Sequence, residues 1–368
     1  MSLKPLYPAL LALLLCAPAM AQAQDKSFTP SAVLTVDALD NSAGGIRTGG
    51  HVISDLDLGA RWQGADGWSA GADILIDGGG GFSANYSGDF QGVSNNDGPP
   101  GTRLFQAYVA RQSGPVALSA GLMDLNAHFD VQTPGGDFIN LSRHMGADMA
   151  QAGVSISPIS ALGAIGEWQV AKDWTVRAAV FDAVPGEPGH TDAFIGVHLA
   201  SDEGAFLIAE GEHDVGGGYV KLGHWADTVA TPRLDGTGVG RRSGTYAHVG
   251  VPLNDHLSVL ARLGTADGHL MPVDRSAELT LVRDHIFPGR DSDSAGLSVS
   301  EAHFGGDYRR AAGDTAPYER NYEAYVMLAV TPNLNLQPDV QVILHPSGRR
   351  DIKTAVVLGL RLIASFGG

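Results

Sequence analysis

The sequence predicts an all-β fold: a single transmembrane antiparallel β-barrel of about sixteen strands, with long loops on one side and short turns on the other. Three observations carry this. The first is alternation. In VTPNLNLQPDVQVILHPSG (Val330–Gly348), Leu334, Leu336, Pro338, Val340, Val342 and Leu344 fall on one side. Asn333, Asn335, Gln337, Asp339, Gln341 and His345 fall on the other, and Ile343 is the exception. Successive strand side chains point to opposite faces, so this strand has an apolar and a polar face. In a barrel these meet lipid and a watery lumen. The second observation is length. Most runs span about nine to twelve residues, where strands of soluble proteins center on about five or six and a tilted bilayer-crossing strand needs about 9–11. The third is the asymmetry of the connections.

In chain order, a weaker candidate at Ala32–Leu39 comes first. VISDLDLGARW sets Val52, Ser54, Leu56, Leu58, Ala60 and Trp62 against Asp55, Asp57 and Arg61. WSAGADILI sets Trp68, Ala70, Ala72, Ile74 and Ile76 against Ser69, Gly71 and Asp73. Arg103–Arg111, Val116–Met123 and Gly163–Ala171 are weaker. WTVRAAVFD sets Trp174, Val176, Ala178 and Val180 against Thr175 and Arg177. Phe194–Ser201, Ala205–His213, Gly218–Ala226 and Gly244–Pro252 follow as weaker candidates. HLSVLARLG sets Leu257, Val259, Ala261 and Leu263 against Ser258 and Arg262, and Ala277–Arg283 comes next. NYEAYVMLAV sets Tyr322, Ala324, Val326, Leu328 and Val330 against Asn321, Glu323 and Tyr325. After the 334–344 strand, KTAVVLGLRLIASF sets Val356, Leu358, Leu360, Leu362, Ala364 and Phe366 against Gly359, Arg361 and Ser365. Pro338 donates no backbone hydrogen bond, so a bulge, or an amide position facing away from the neighboring strand, is expected there.

Tight turns recur at Gly64–Gly67, before Trp174, at Pro252–Asp255 and at Thr331–Asn333, while 77–102, 124–162, 227–243, 264–276 and 304–320 are long. A compact soluble sandwich would not need so much loop. Trp62, Trp68 and Trp174 sit at strand ends beside tight turns, where a barrel places aromatics at headgroup level.

Residues 1–23 read as a secretory signal peptide, and 24–368 as the barrel domain. Lys4 precedes an apolar run around Leu10–Leu15, which is too short to span a bilayer. Ala19-Met20-Ala21 and Ala21-Gln22-Ala23 are the two candidate cleavage triplets. Cleavage would remove Cys16, the only cysteine, and with it disulfide, thiolate and cysteine–metal chemistry. A net charge of −16 argues against a nucleic-acid partner.

Several segments in order resemble the carbohydrate-selective porins of the OprB type: NSAGGIRTGG, SGDFQGVSNNDG with TRLFQAYVARQ, SAGLMDLNAHFDVQTPGGDFINLSRHMGAD and WTVRAAVFDAVPGEPG. PYERNYEAYVMLAVTPNLNLQPDVQVILHPSG and AVVLGLRLIASF complete the series, so the resemblance covers nearly the whole expected mature chain. It implies a sixteen-stranded barrel in the outer membrane of a Gram-negative bacterium, passive inward diffusion of monosaccharides such as glucose, and no catalysis. The family's terminal aromatic is Phe366 here, followed by Gly367 and Gly368. The C-terminal strand is the expected handle for the barrel assembly machinery, outer-membrane lipid is the expected surround, and a homo-oligomer is open.

Sugars offer hydroxyl rims and apolar C–H faces, which carboxylates, amides, Arg and aromatic rings can hold. The stretch DLNAHFDVQTPGGDFINLSRHMGAD (Asp124–Asp148), part of the longest connection, is the expected constriction loop, as long structureless loops are functional or disordered. Its candidate sugar-facing residues are Asp124, Asn126, Phe129, Asp137, Asn140 and Arg143. Asp57, Arg61, Arg177, Arg262, Glu323, Asp339 and Arg361 are expected on the lumen wall, facing water. No cofactor is expected. The acidic loop Asp284–Ser294, taken as an outer loop, could gather carboxylates around calcium but lacks the spacing of a known calcium loop. The thirteen histidines form no HExxH, the glycine runs lack the Lys-Ser/Thr of a phosphate loop, and no GxSxG occurs. A sugar porin is therefore weighed against a general channel, a barrel enzyme and a secreted all-β sugar-binding protein.

Overall fold

The structure, a computed structural model, describes residues 28–200 and 203–367. The expected signal peptide lies outside them. Sixteen strands close into one barrel. They are β1 (Phe28–Gly45), β2 (Gly49–Gln63), β3 (Trp68–Gly78), β4 (Gly101–Ser113), β5 (Val116–Met123), β6 (Ala161–Ala171), β7 (Trp174–Asp182) and β8 (Ala205–Val215). β9 (Gly218–Asp227), β10 (Ser243–Asn254), β11 (Leu257–Ala266), β12 (Val273–Asp284), β13 (Ser294–Phe304), β14 (Tyr318–Thr331), β15 (Leu334–Leu344) and β16 (Lys353–Gly367) complete it. Each pairs antiparallel with its neighbors, and β1 closes on β16 from Ser31↔Gly367 to Gly45↔Lys353. Closure matters because a strand in lipid has no water to satisfy its backbone.

The two faces of the 334–344 strand separate as its alternation predicts. Gln337 and Gln341 are fully buried on the inner side, while Val340 is exposed on the outer. The same phase runs around the barrel: Leu222, Leu263, Leu297 and Leu358 point outward, each at least half exposed. So continuous an apolar belt would be a liability in water and is the lipid-facing band of a barrel. Trp62, Trp68, Trp168 and Trp174 are exposed at the short-turn end, beside 64–67 and 172–173, and Trp174 stacks on His213 at 4.4 Å. At Pro338 no bulge forms. The ladder to β14 keeps register from Tyr325↔Asp339 to Leu328↔Leu336, and β16 still pairs Leu360 with Pro338.

Three expectations need correction. Residues 194–200 are not a strand: they belong to the connection between β7 and β8, with one bridge, Gly186↔Val197. β13 was not anticipated. Its inner face is Ser294, Gly296, Ser298, Ser300 and Ala302, so only Leu297 and Val299 mark its outer side and the alternation is faint. Finally, Asp284–Ser294 is no outer loop, because it joins β12 to β13 at the short-turn end. There Asp293 pairs with Arg290 and accepts the Ala329 amide, so it is engaged in holding the turn.

Candidate functional site

The chain between β5 and β6, residues 124–160, runs inside the barrel. One flank is bolted to β8–β12. Arg262 on β11 donates Nε and Nη2 to the Asp130 carboxylate, both at 2.8 Å. Its Nη1 donates to Asp148 at 2.7 Å and to Ser276 at 2.9 Å. Glu210 on β8 accepts the Asp130 amide at 3.0 Å and the Tyr246 hydroxyl at 2.7 Å, and Lys221 reaches the Val131 carbonyl at 3.0 Å. The other flank rests on β14 and β15. Glu323 accepts the Ile139 amide at 2.6 Å, and Gln337 donates to the Asp137 carbonyl at 2.6 Å.

A second connection, residues 79–100, also folds inward. Its Ser94 donates to Asp37 at 2.7 Å, and its Asn95 accepts from Arg361 at 2.7 Å. Glu319 of β14 accepts the amides of Phe90 and Gln91 at 2.7 and 2.9 Å. Sequence reasoning missed this loop's role. Its signal was the amide- and hydroxyl-rich stretch SGDFQGVSNNDG, whose side chains suit bonding to a polar wall.

The two loops fill one side of the lumen, and this decides what the expected wall residues face. Arg262, Glu323, Asp339 and Arg361 are buried beneath the loops instead of facing water. Each is committed to a loop or to a neighbor, as in the Arg361–Asp37 pair at 2.6 Å. Burying these charges is tolerable because most find charge-assisted partners. Asp57, Arg61 and Arg177 lie on the opposite side, on β2 and β7, and keep some exposure. Arg61 pairs with Asp73 at 2.7 Å, and Arg177 bridges Glu167, Glu210 and Glu212 at 2.6–3.1 Å. Asp55 and Asp57 share one inner face of β2 and have no ion-pair partner among the described residues.

The loop candidates divide likewise. Asp124 is partly exposed and accepts the Asn126 amide at 2.9 Å. Burial pushes its carboxyl up to about 7, with that amide pulling the other way. Asn126 closes the loop on itself, donating to the carbonyls of Phe129 and His144 at 3.1 and 2.9 Å. Phe129 is fully buried among Met123, Met149, Phe181 and Trp225, so it offers no ring face for stacking. Asp137 is exposed and receives the Tyr325 hydroxyl at 3.3 Å. Asn140 caps Ser142 and touches Gln341. Arg143 is fully buried, on the flank facing β12. The side left open is therefore lined by Asp55, Asp57, Arg61, Tyr108, Glu167 and Arg177, with the loop edge 124–128 beside it.

Acidic groups outnumber basic ones along that lining, so the pore is expected to prefer cations. Replacing Asp55 and Asp57 together by Asn should move the reversal potential in a salt gradient toward zero. Asp124 adds negative charge above its pKa of about 7 and loses it below. Cation preference should therefore weaken on acidification through pH 7, and less so in Asp124→Asn.

A closed barrel with an apolar belt outside and a loop-narrowed polar interior is a membrane channel of the porin class. The chain belongs to the family described as carbohydrate-selective porin, OprB family, whose sequence model matches residues 52–366. Among solved structures, the high-pH structure of Pseudomonas putida OprB superposes with a TM-score of 0.81 at 21% identity, covering 95% of this chain and 96% of that one. The low-pH structure of the same protein gives 0.60 at 15%, covering 95% of each chain. These likenesses show the fold. Porin AaxA of Chlamydia pneumoniae is 27% identical over 109 residues, which is 30% of this chain and only 25% of that relative's length.

Proposed function

We propose that this protein lets small sugars, monosaccharides such as glucose, diffuse passively across the outer membrane of a Gram-negative bacterium. The observation that carries this reading is the half-open lumen: guanidinium groups, carboxylates and a tyrosine stay accessible on one wall, facing the edge of an inward loop. Vicinal hydroxyls suit the planar forks of Arg61 and Arg177 and the carboxylates beside them, and the Tyr108 ring suits a sugar's C–H face. The loop narrows the path enough for those contacts to replace sugar-bound water.

The test is planar-bilayer recording with and without glucose. Shortening the loop between Ala127 and Arg143 should raise single-channel conductance and weaken the block of ion current by glucose. A parent channel whose current ignores glucose, with glucose no faster than larger solutes into liposomes, would identify a general channel instead. Unchanged conductance in the shortened protein would move the constriction to the barrel wall.

A further inference from the structure

The outer face of the barrel carries a hollow that the solute path does not use. It lies across β11–β15, toward the short-turn end, and encloses about 700 Å³. Two rows of directly opposed outward residues cross the strands there. One runs through Leu281, Leu297, Ala324 and Val340, and the next through Arg283, Ala295 and Val326. Ala295, Ala324 and Pro338 are short, while the larger Leu281, Leu297 and Val340 stand around them. A volume of about 700 Å³ falls in the range, roughly 300–1,000 Å³, of clefts that hold small molecules.

One charged group borders this apolar hollow. Arg283, next to last in β12, is exposed on the outer face, opposite Leu257 and Ala295. Three other arginines point outward from the strands, and each has a partner. Arg111 lies over the Trp68 ring at 5.2 Å, Arg275 donates to His303 at 3.1 Å, and Arg320 donates to Glu301 at 2.9 Å. Arg283 has no ion pair and no side-chain hydrogen bond among the described residues. Asp284 alternates to the lumen side, where it acts on Asp137, so it does not neutralize its neighbor. The exposed rings of His256 and His285, 4.7 Å apart at the ends of the same two strands, add N–H donors and no negative charge. The short-turn end is the periplasmic end, and the exposed tryptophans there mark the headgroup level. A bare guanidinium at that level, beside an apolar hollow, complements an amphiphile with an anionic head and an apolar tail. A zwitterionic head brings its own cation and suits Arg283 less well.

We propose that this hollow binds one anionic phospholipid of the periplasmic leaflet, its phosphate on Arg283 and one acyl chain laid over Ala295 and Ala324. It rests on the outer-membrane placement proposed above and is independent of the solute carried. The planar fork of Arg283 suits two phosphate oxygens at once. The connection that follows, residues 285–293, is longer than the two-residue turns at 172–173, 255–256 and 332–333. It carries Phe287, 46% exposed, an apolar ring of the kind that settles between head groups and chains.

The experiment is native mass spectrometry of the folded protein, released from detergent with dioleoyl phosphatidylglycerol or dioleoyl phosphatidylcholine. The parent should retain one phosphatidylglycerol in preference to phosphatidylcholine. Arg283→Gln should weaken that retention about five- to tenfold, the worth of one basic group at an anionic surface. Ala324→Leu fills the hollow and should remove the preference with Arg283 still in place. Arg111→Gln, an outward arginine at the same end without a hollow, should behave as the parent. All three changes face lipid, so single-channel conductance should stay that of the parent. Arg283→Gln keeps the test decisive if Ala324→Leu fails to assemble. Equal retention in the parent and Arg283→Gln, or an equal loss in Arg111→Gln, would mean surrounding lipid only and overturn the proposal. So would a second copy of the chain, held by the parent and shed by Ala324→Leu, since the hollow would then be a subunit contact. A parent that never inserts into vesicles would instead overturn the outer-membrane placement.

Discussion

Replacing Arg262 by Met is expected to free the inward loop and raise single-channel conductance. The side chain is buried with Asp130, Asp148 and Ser276, and it donates to all three. Removing one partner of a buried ion pair typically costs about 3–5 kcal/mol, because the orphaned carboxylates remain out of water. Here the loop has an escape that a packed core lacks: it can swing toward the aqueous lumen and rehydrate both aspartates. Part of the cost should therefore appear as loop release and not as loss of the barrel. Arg262→Lys keeps the charge but not the fork that serves two carboxylates at once, so it should fall between parent and Met. Bilayer conductance and the denaturant midpoint of the barrel, measured on the same preparations, separate the two effects. A normal conductance in the Met variant would show that the loop stays seated without Arg262.

The second large effect concerns the outer belt. Val340 is exposed on the outer face midway along β15, beside Ala324 of β14 and Leu358 of β16. Lys at a lipid-facing site near the midplane costs about 2–4 kcal/mol. Val340→Lys should lower folding stability in lipid vesicles by that order. Gln341, the next residue, points inward but is no neutral control: it donates to the Val93 carbonyl at 2.8 Å and accepts from Asn321 at 2.8 Å. Asp57, on the open wall and without an ion-pair partner, is the better comparison, and Asp57→Lys should leave stability near that of the parent. If the two variants were equally stable, the assigned phase of β15 would be wrong.

The phase of strong strands was legible because lipid outside and polar groups inside impose period two over a whole strand, as at Val52–Trp62 and Leu334–Leu344. Where one side is small, that signal fades. The serine and glycine inner face of β13 hid a real strand, while Phe194, Ile195, Val197 and Leu199 mimicked one in a segment that forms a single bridge, Gly186↔Val197. The strand total came out the same because these two misreadings cancel. At the site, the loop between β5 and β6 stood out by length. Which side of it faces water did not, since that depends on Arg262, Glu210 and Glu323, distant in sequence and brought to it only by closure. For the same reason Phe129 and Arg143 could not be told from exposed contacts, and the loop at 79–100 stood out only by its length.

Closure has a consequence for the order of events in folding. The pairing of β1 with β16 joins residues more than three hundred positions apart, such as Asp37 and Arg361. No partial chain can make that seam. Until the last strand arrives, the growing sheet keeps two bare edges, which in water invite pairing with other chains. Contacts of such long sequence separation also form slowly, since the entropy of joining distant segments precedes any reward. The final ion pair across the seam, Arg361 with Asp37, is thus a late event, and the chain needs shelter between synthesis and that step.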